Sequence, residues 1–373
     1  MVSILKINNP NKKSLKILLA PLDWGLGHAT RCIPIIKELI IQKYEVRIAA
    51  SGDQKKLLQA EFPNLSFVDL PGYHIKYDKN RALTLLRLIS SIPKILIRVK
   101  EENRWLRQYK AAEEIDIIIS DNRYGLWDRD LYCILITHQL TIQSGLGGSI
   151  DRWIQHLHYR LIHRFDTCWV PDMPERPGLA GKLSHPEKMP DIPTHYIGWL
   201  SRMEKMEIRE EPIDLLILLS GPEPQRSILE KMLWEQLSSF TGSVVFVRGL
   251  PGGGQGSMEG RQATVYDHLS ARALNECLSR ARLVVARSGY STVMDLIRLK
   301  KKAVLIPTPG QTEQEYLGKH LTSQQIALCI NQSGFSLKEA LAQAERFPYI
   351  TLQEKEGLLQ GVMAQSFSSI RLG

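Results

Sequence analysis

The stretch from Leu283 to Tyr316 constrains the fold more than any other part of the chain. Leu283 to Ala286 is a short, continuous apolar run, as expected of a strand covered on both faces. Ser288-Gly289 ends it, and Ser291 and Thr292 stand where they can cap the helix that runs on through Ile297. A second apolar run, Ala303 to Ile306, ends at Pro307-Thr308-Pro309-Gly310. The polar cluster Gln311, Glu313, Gln314 and Glu315 follows. Strand, glycine turn, helix, strand is the order of a doubly wound parallel sheet. Such sheets bind ligands beyond the carboxyl ends of their strands, where a helix N-terminus suits phosphate. Asp295 falls about one turn into the helix, placed to accept hydrogen bonds from paired hydroxyls. Thr292 and Asp295 together also fit a simple capping box.

The same pattern starts twice. Leu15 to Ala20 reads as a buried first strand, followed by a loop bearing Gly25-x-Gly27-His28, a helix through Gln42, and a strand from Glu45 to Ala50. The third glycine of a dinucleotide fingerprint is missing, which argues against NAD. Further strands are expected at 65–70, 115–121, 132–137, 167–171 and 194–198. Asp121 closes the 115–121 strand at its carboxyl end, placed to orient and charge-stabilise His28 as in a catalytic triad. A turn role for Asp121 stands beside that one. His28 is a suitable base for a hydroxyl near neutral pH, or it caps its helix. His138, after the 132–137 strand, is a second candidate for a ligand contact. His156, His158 and His163 read as surface residues without a carboxylate at metal-ligand spacing. The series restarts with Asp214 to Ser220 and Gly221, so a second doubly wound domain is expected. Prolines on either side of Glu223 weaken a backbone phosphate cradle there, and Arg226 is positioned to serve as a bidentate phosphate ligand instead.

These elements resemble glycosyltransferase family 28. The resemblance is carried by Ser288-Gly289, Thr292, Asp295, Pro307 and Gln314-Glu315, and by Gly25-x-Gly27-His28 after the first strand. It implies two Rossmann-like domains facing a cleft, the GT-B fold. The expected division is an acceptor domain over residues 1–200, a linker over 201–212, a donor domain over 213–345, and a helical tail over 346–373 that crosses back. It implies an inverting hexosyltransferase that uses a UDP-sugar as co-substrate and needs no resident cofactor or metal. Gly25, Gly27 and His138 would face the acceptor, and His28 with Asp121 would deprotonate it. Ser220, Gly221 and Arg226 would meet the donor phosphates. The backbone near His268 and Leu269 would read the uracil edge. Asp295 with Gln311, Glu313, Gln314 and Glu315 would hold hydroxyls. Asp295 is shorter than the family's usual Glu, which leaves the sugar open.

Charge supplies the remaining lead. The chain carries +9, and the segment Lys79 to Lys110 holds nine Lys or Arg against Glu101 and Glu102 alone. Apolar residues interleave with these charges from 81 to 110, too often interrupted for a membrane span, and Pro93 is expected to kink or divide the segment. An amphipathic surface on an anionic membrane is one reading, and a helix packed on the sheet with a solvated basic face is the other. One Trp and one Tyr there make a poor stacking platform, so nucleic acid is not expected. Five scattered cysteines and no signal-like segment point to the cytoplasm, or to the inner face of the cell membrane. The acceptor is a saccharide or a lipid-linked one. The rivals are a UDP-sugar 2-epimerase on the same scaffold and a non-catalytic nucleotide-sugar binder at a membrane.

Overall fold

The computed structural model describes residues 14–72, 92–142, 147–207, 210–250 and 263–370. Two all-parallel sheets follow one another along the chain. The first contains β1 (Lys16–Pro21), β2 (Glu45–Ala49), β3 (Ser66–Val68), β4 (Ile117–Asp121), β5 (Tyr132–Ile136), β6 (Thr167–Val170) and β7 (Thr194–Tyr196), in the order β3-β2-β1-β4-β5-β6-β7. Helices α1 (Leu26–Ile41), α2 (Gly52–Glu61), α3 (Ile92–Ala112) and α4 (Gly148–Ile162) connect them. The second contains β8 (Ile213–Leu218), β9 (Val244–Val247), β10 (Ala263–Tyr266), β11 (Ala281–Ala286), β12 (Lys302–Leu305) and β13 (Leu328–Cys329), in the order β10-β9-β8-β11-β12-β13. Its helices are α5 (Gln225–Gln236), α6 (Ala271–Arg280), α7 (Tyr290–Arg298), α8 (Thr312–Ser323) and α9 (Leu337–Arg346), and α10 (Leu358–Ile370) ends the described chain.

The apolar runs form central strands because no polar face is left for water. All five residues of β4 are buried, and Leu18, Leu19 and Ala20 of β1 are fully so. Strand order reverses between β1 and β4 in one sheet and between β8 and β11 in the other. Crevices open at such switch points. Pro21 pairs with Asp121 at the first, and Leu218 with Ala286 at the second. The Gly-bearing loops after β1, β8 and β11 therefore all lie at a switch point.

Helix α10 lies against the first sheet. Phe367 is buried there, its ring 5.2 Å from Tyr44 and 6.1 Å from Trp169, and Trp169 Nε1 donates to Ser366 Oγ at 3.3 Å. The basic segment is described only from residue 92 onward, and 81–91 lie outside the described residues. Pro93 is the second residue of α3, where its missing N–H leaves no helical bond unmade. Val99, Glu102 and Leu106 of α3 are buried, Glu102 pairs with the buried Arg123, and Asn103 Nδ2 donates to the carbonyls of Gly125 and Trp127. This stretch of the segment packs on its sheet, while Lys94, Ile97, Lys100, Arg104 and Arg107 stay exposed. His158 is a correction to the surface reading of the α4 histidines. It is buried against the Tyr124 hydroxyl, 2.8 Å from Nε2, and burial takes its pKa down to about 4.

Candidate active site

The loop after β1 is shaped by glycine and pinned by a neighbouring helix. Gly25 has φ +76°, the left-handed region that suits glycine, and its N–H closes a turn on the Asp23 carbonyl. Gln54 of α2 is buried and donates through Nε2 to the carbonyls of Leu22 and Gly25. Gly27 is required for a different reason. A Cβ there would sit 3.1 Å from Ser291 Oγ, which belongs to the second domain and donates to the Gly27 carbonyl at 2.9 Å. The loop thus sets His28 at the start of α1 and brings the two domains into contact beside it.

His28 Nδ1 lies 2.8 Å from Asp121 Oδ2, the last residue of β4. Asn122, at φ +54°, turns the chain immediately afterwards. Arg31, one turn along α1 from His28, completes the arrangement. Its Nε donates to both Asp121 carboxylate oxygens at 3.1 Å, and its Nη2 donates to Oδ1. Arg31 Nη1 lies 3.2 Å from His138 Nδ1, and His138 Nε2 lies 2.8 Å from Glu313 Oε1 across the cleft. Gln139 Nε2 donates to the other Glu313 oxygen. Tyr290 of α7 stacks on His138 with centroids 4.2 Å apart and donates to the Pro171 carbonyl at 2.7 Å.

One guanidinium faces two carboxylates in this cluster. Burial pushes the Asp121 carboxyl up, but Arg31 and His28 outweigh it and bring it down to about 2. Burial, aided by the Arg31 cation, lowers His28 below its ordinary value despite the opposing pull of Asp121. Burial likewise raises Glu313, yet His138 and Arg31 leave it below the usual carboxylate range. At neutral pH His28 is therefore a neutral imidazole beside an ionised Asp121. The carboxylate can only accept, so the proton sits on Nδ1 and Nε2 keeps its lone pair.

The second domain presents a helix end to this cluster. Gly289 is the N-cap of α7 with no side-chain cap, and nothing lies within 4 Å of a Cβ placed on it. The capping role expected of Ser291 and Thr292 is not what the structure shows: both lie inside the first turn, and the Ser291 hydroxyl is committed to Gly27. The amides of Tyr290, Ser291 and Thr292 are left without helical acceptors. Asp295 does not close a capping box. Its Oδ1 accepts from Ser201 Oγ at 2.6 Å, and burial lifts its carboxyl to about 6, against the opposing effects of Ser201 and Arg202. Arg202 also acts on the ionisation of His268, which is exposed, whereas the neighbouring Leu269 is in the core.

Several residues expected on the donor side hold their own loops. Ser288 Oγ donates to the Gln314 carbonyl at 2.9 Å, the Thr308 amide to Gln314 Oε1 at 2.9 Å, and the Gly310 amide to Glu315 Oε1 at 3.0 Å. Gln314 Nε2 donates to Gln311 Oε1. Gly221 turns the chain after the half-buried Ser220, with φ +99°. Arg226 differs from expectation. It is buried, bonded to Glu223, Glu230 and the Arg248 carbonyl, so its guanidinium is satisfied within the protein rather than held open for phosphate. Arg287 was not singled out by the sequence, yet it fixes the site's frame. It is 1% exposed and donates to the carbonyls of Gln225, Ile306 and Pro307 and to Gln332 Oε1. It thereby ties the loops after β8, β12 and β13 to the turn after β11, and burial lowers it to about 10. Its only signal in the sequence is a charge directly after an apolar run and before Ser-Gly.

Residues 256–356, which span α7 and the loop before α8, match the model of the glycosyltransferase family 28 C-terminal domain. Over that stretch the chain is similar to glycosyltransferase family 28. An uncharacterized glycosyltransferase of Methanosarcina acetivorans is 22% identical over 327 residues, covering 81% of this chain and 82% of that protein. The UDP-N-acetylglucosamine–N-acetylmuramyl-(pentapeptide) pyrophosphoryl-undecaprenol N-acetylglucosamine transferase of Haemophilus ducreyi is 21% identical over 342 residues, covering 88% of each. The crystal structure of the glycotransferase of kitacinnamycin superposes with a TM-score of 0.63 at 15% identity, over 97% of this chain and 98% of that one. The two-sheet architecture of the chain is accordingly the GT-B fold.

Proposed function

We propose that this glycosyltransferase moves a hexose or N-acetylhexosamine from a UDP-sugar to an acceptor hydroxyl, with inversion and with His28 as the base. The observation that carries the reading is the His28–Asp121 pair, set at a switch point and facing the open N-terminus of α7. His28 Nε2 takes the hydroxyl proton as the acceptor oxygen attacks the anomeric carbon from the face opposite UDP. The bond to the diphosphate breaks, and the charge it takes away is stabilised by the amides of Tyr290, Ser291 and Thr292. Asp295 and the loop carrying Gln311, Gln314 and Glu315 receive hydroxyls of the donor. The reading has no resident metal or cofactor, because the helix end carries the charge stabilisation. The name of the Haemophilus relative supports a UDP-sugar donor and a lipid-linked acceptor. The exposed face of α3, basic with Ile97 at its surface, suits a peripheral position on the cytoplasmic face of a membrane. Among the described residues no helix is long and apolar enough to cross one.

The test is UDP release from a panel of UDP-sugars, with and without saccharide and lipid-linked acceptors, on wild type and His28→Ala. Acceptor-dependent release that His28→Ala abolishes, with UDP binding kept, is the expected result. Conversion of a UDP-sugar without any acceptor would establish the epimerase instead. UDP binding with no consumption under any condition would leave a binder.

A further inference from the structure

Two imidazoles, one guanidinium and two carboxylates form an unbroken chain across the cleft, from His28 through Asp121, Arg31 and His138 to Glu313. Hydrogen-bonding capacity alone assigns the protons. A guanidinium only donates. Arg31 Nη1 is 3.2 Å from His138 Nδ1, so that nitrogen is the acceptor. The His138 proton is therefore on Nε2, 2.8 Å from Glu313 Oε1, which accepts it. His138 has no lone pair left for an acceptor hydroxyl, in contrast to His28. Arg31 thus occupies His138 on one side and clamps Asp121 on the other. Four of the five residues belong to the first domain, and Glu313, at the start of α8, belongs to the second.

We propose that Arg31 and Glu313 are positioning residues for His28: Arg31 holds both imidazoles in fixed tautomers, and Glu313 completes the chain only when the second domain is seated on the first. The base thereby senses cleft closure through charges it does not touch directly. The proposal takes from the functional reading that His28 is the base, but its chain of contacts does not depend on any substrate.

The groups around His28 fix the expected signs. Asp121 bonds to it from β4, and Arg31 from α1, His138 from the turn after β5 and Glu313 from the second domain act on it through their charges, while Cys32 touches Asp121 and Tyr290 stacks on His138. The Cys32 thiol and the Tyr290 phenol are both pushed up by burial and stay neutral. Removing the cation at 31 relieves the imidazolium of repulsion. Removing the anion at 313 withdraws a stabilising charge. The two substitutions move His28 in opposite directions.

The experiment is an NMR titration of the histidine side chains in the full-length protein, with the His28 signal assigned by its loss in His28→Gln. Arg31→Met should raise the His28 midpoint by about one pH unit or more. Glu313→Gln should lower it by less. Arg31→Lys, which keeps the charge but loses the two-pronged grip, should leave the midpoint near wild type while the His138 nitrogen shifts report mixed tautomers. Unchanged midpoints in folded Arg31→Met and Glu313→Gln, or shifts of the same sign, would overturn the proposal. If Arg31→Met does not fold, the Glu313→Gln titration decides alone, since Glu313 is one-third exposed at 33%. None of these readouts needs turnover, so failure of the transferase reading would show separately, in the UDP-release assay.

Discussion

Replacing Asp295 by Asn should stabilise the protein at neutral pH while weakening donor binding. The folded carboxyl titrates near 6 against an ordinary 3.8, because burial raises it more than Ser201 and Arg202 lower it. Below about pH 4 it is protonated in both the folded and unfolded chain, and it costs nothing. Between about 4 and 6 the unfolded chain ionises first, so stability is lost as pH rises, and above 6 the full cost is present. A gap of about two pH units at ~1.4 kcal/mol each sets a ceiling of about 3 kcal/mol. The side chain is only partly enclosed, and solvent screening reduces the effect to about 1–2 kcal/mol. Asn keeps an oxygen to accept from Ser201 Oγ, now 2.6 Å from Oδ1, and removes the ionisation. Urea unfolding of both proteins at pH 4, 5.5 and 7.5 is the assay. Near-equal midpoints at pH 4 should separate in favour of the variant toward pH 7.5. A difference that does not change with pH, or a wild type more stable at pH 7.5, would refute the reasoning.

Four further outcomes are expected. His28→Ala should lower kcat about 10²–10⁴-fold, the usual worth of a general base, with calorimetric donor binding retained. The acid limb of the kcat/KM profile should fall below pH 6.5, because burial and Arg31 disfavour the His28 imidazolium. Gly27→Ala should slow transfer several-fold to about tenfold by pressing a Cβ on Ser291 Oγ at 3.1 Å, and adding Ser291→Ala should restore much of the rate. Phe367→Ala should destabilise by about 3–5 kcal/mol in urea unfolding, since its buried ring fills the contact between α10 and Trp169.

The strands were legible because a parallel sheet covered on both faces must be written in continuous apolar residues. Each of the runs at Leu15, Ile115, Asp214 and Leu283 became a central strand. His28 and Asp121 were readable as a pair because both end up at the carboxyl edge of neighbouring strands, a position that follows from topology alone. Arg31 was not readable. It lies on a helix as an ordinary charged residue, and only the approach of Asp121 and His138, 90 and 107 residues away in sequence, gives it a role. Glu313 was expected to meet donor hydroxyls and instead reaches His138, since domain closure is invisible in local patterns. Ser291 looks like a cap by spacing, yet the Gly27 carbonyl competes for its hydroxyl. Arg226 has the chemistry of a phosphate ligand, but Glu230 one helical turn on and Glu223 one turn back satisfy it first.

The most direct test of the central claim is calorimetric binding of UDP, ADP and GDP to the wild type and to Asp295→Ala. Preference for UDP, weakened in the variant by about 1.5–3 kcal/mol as for a charged hydrogen bond, is the result this account predicts. Binding that ignores the base, or no nucleotide binding at all, would contradict it.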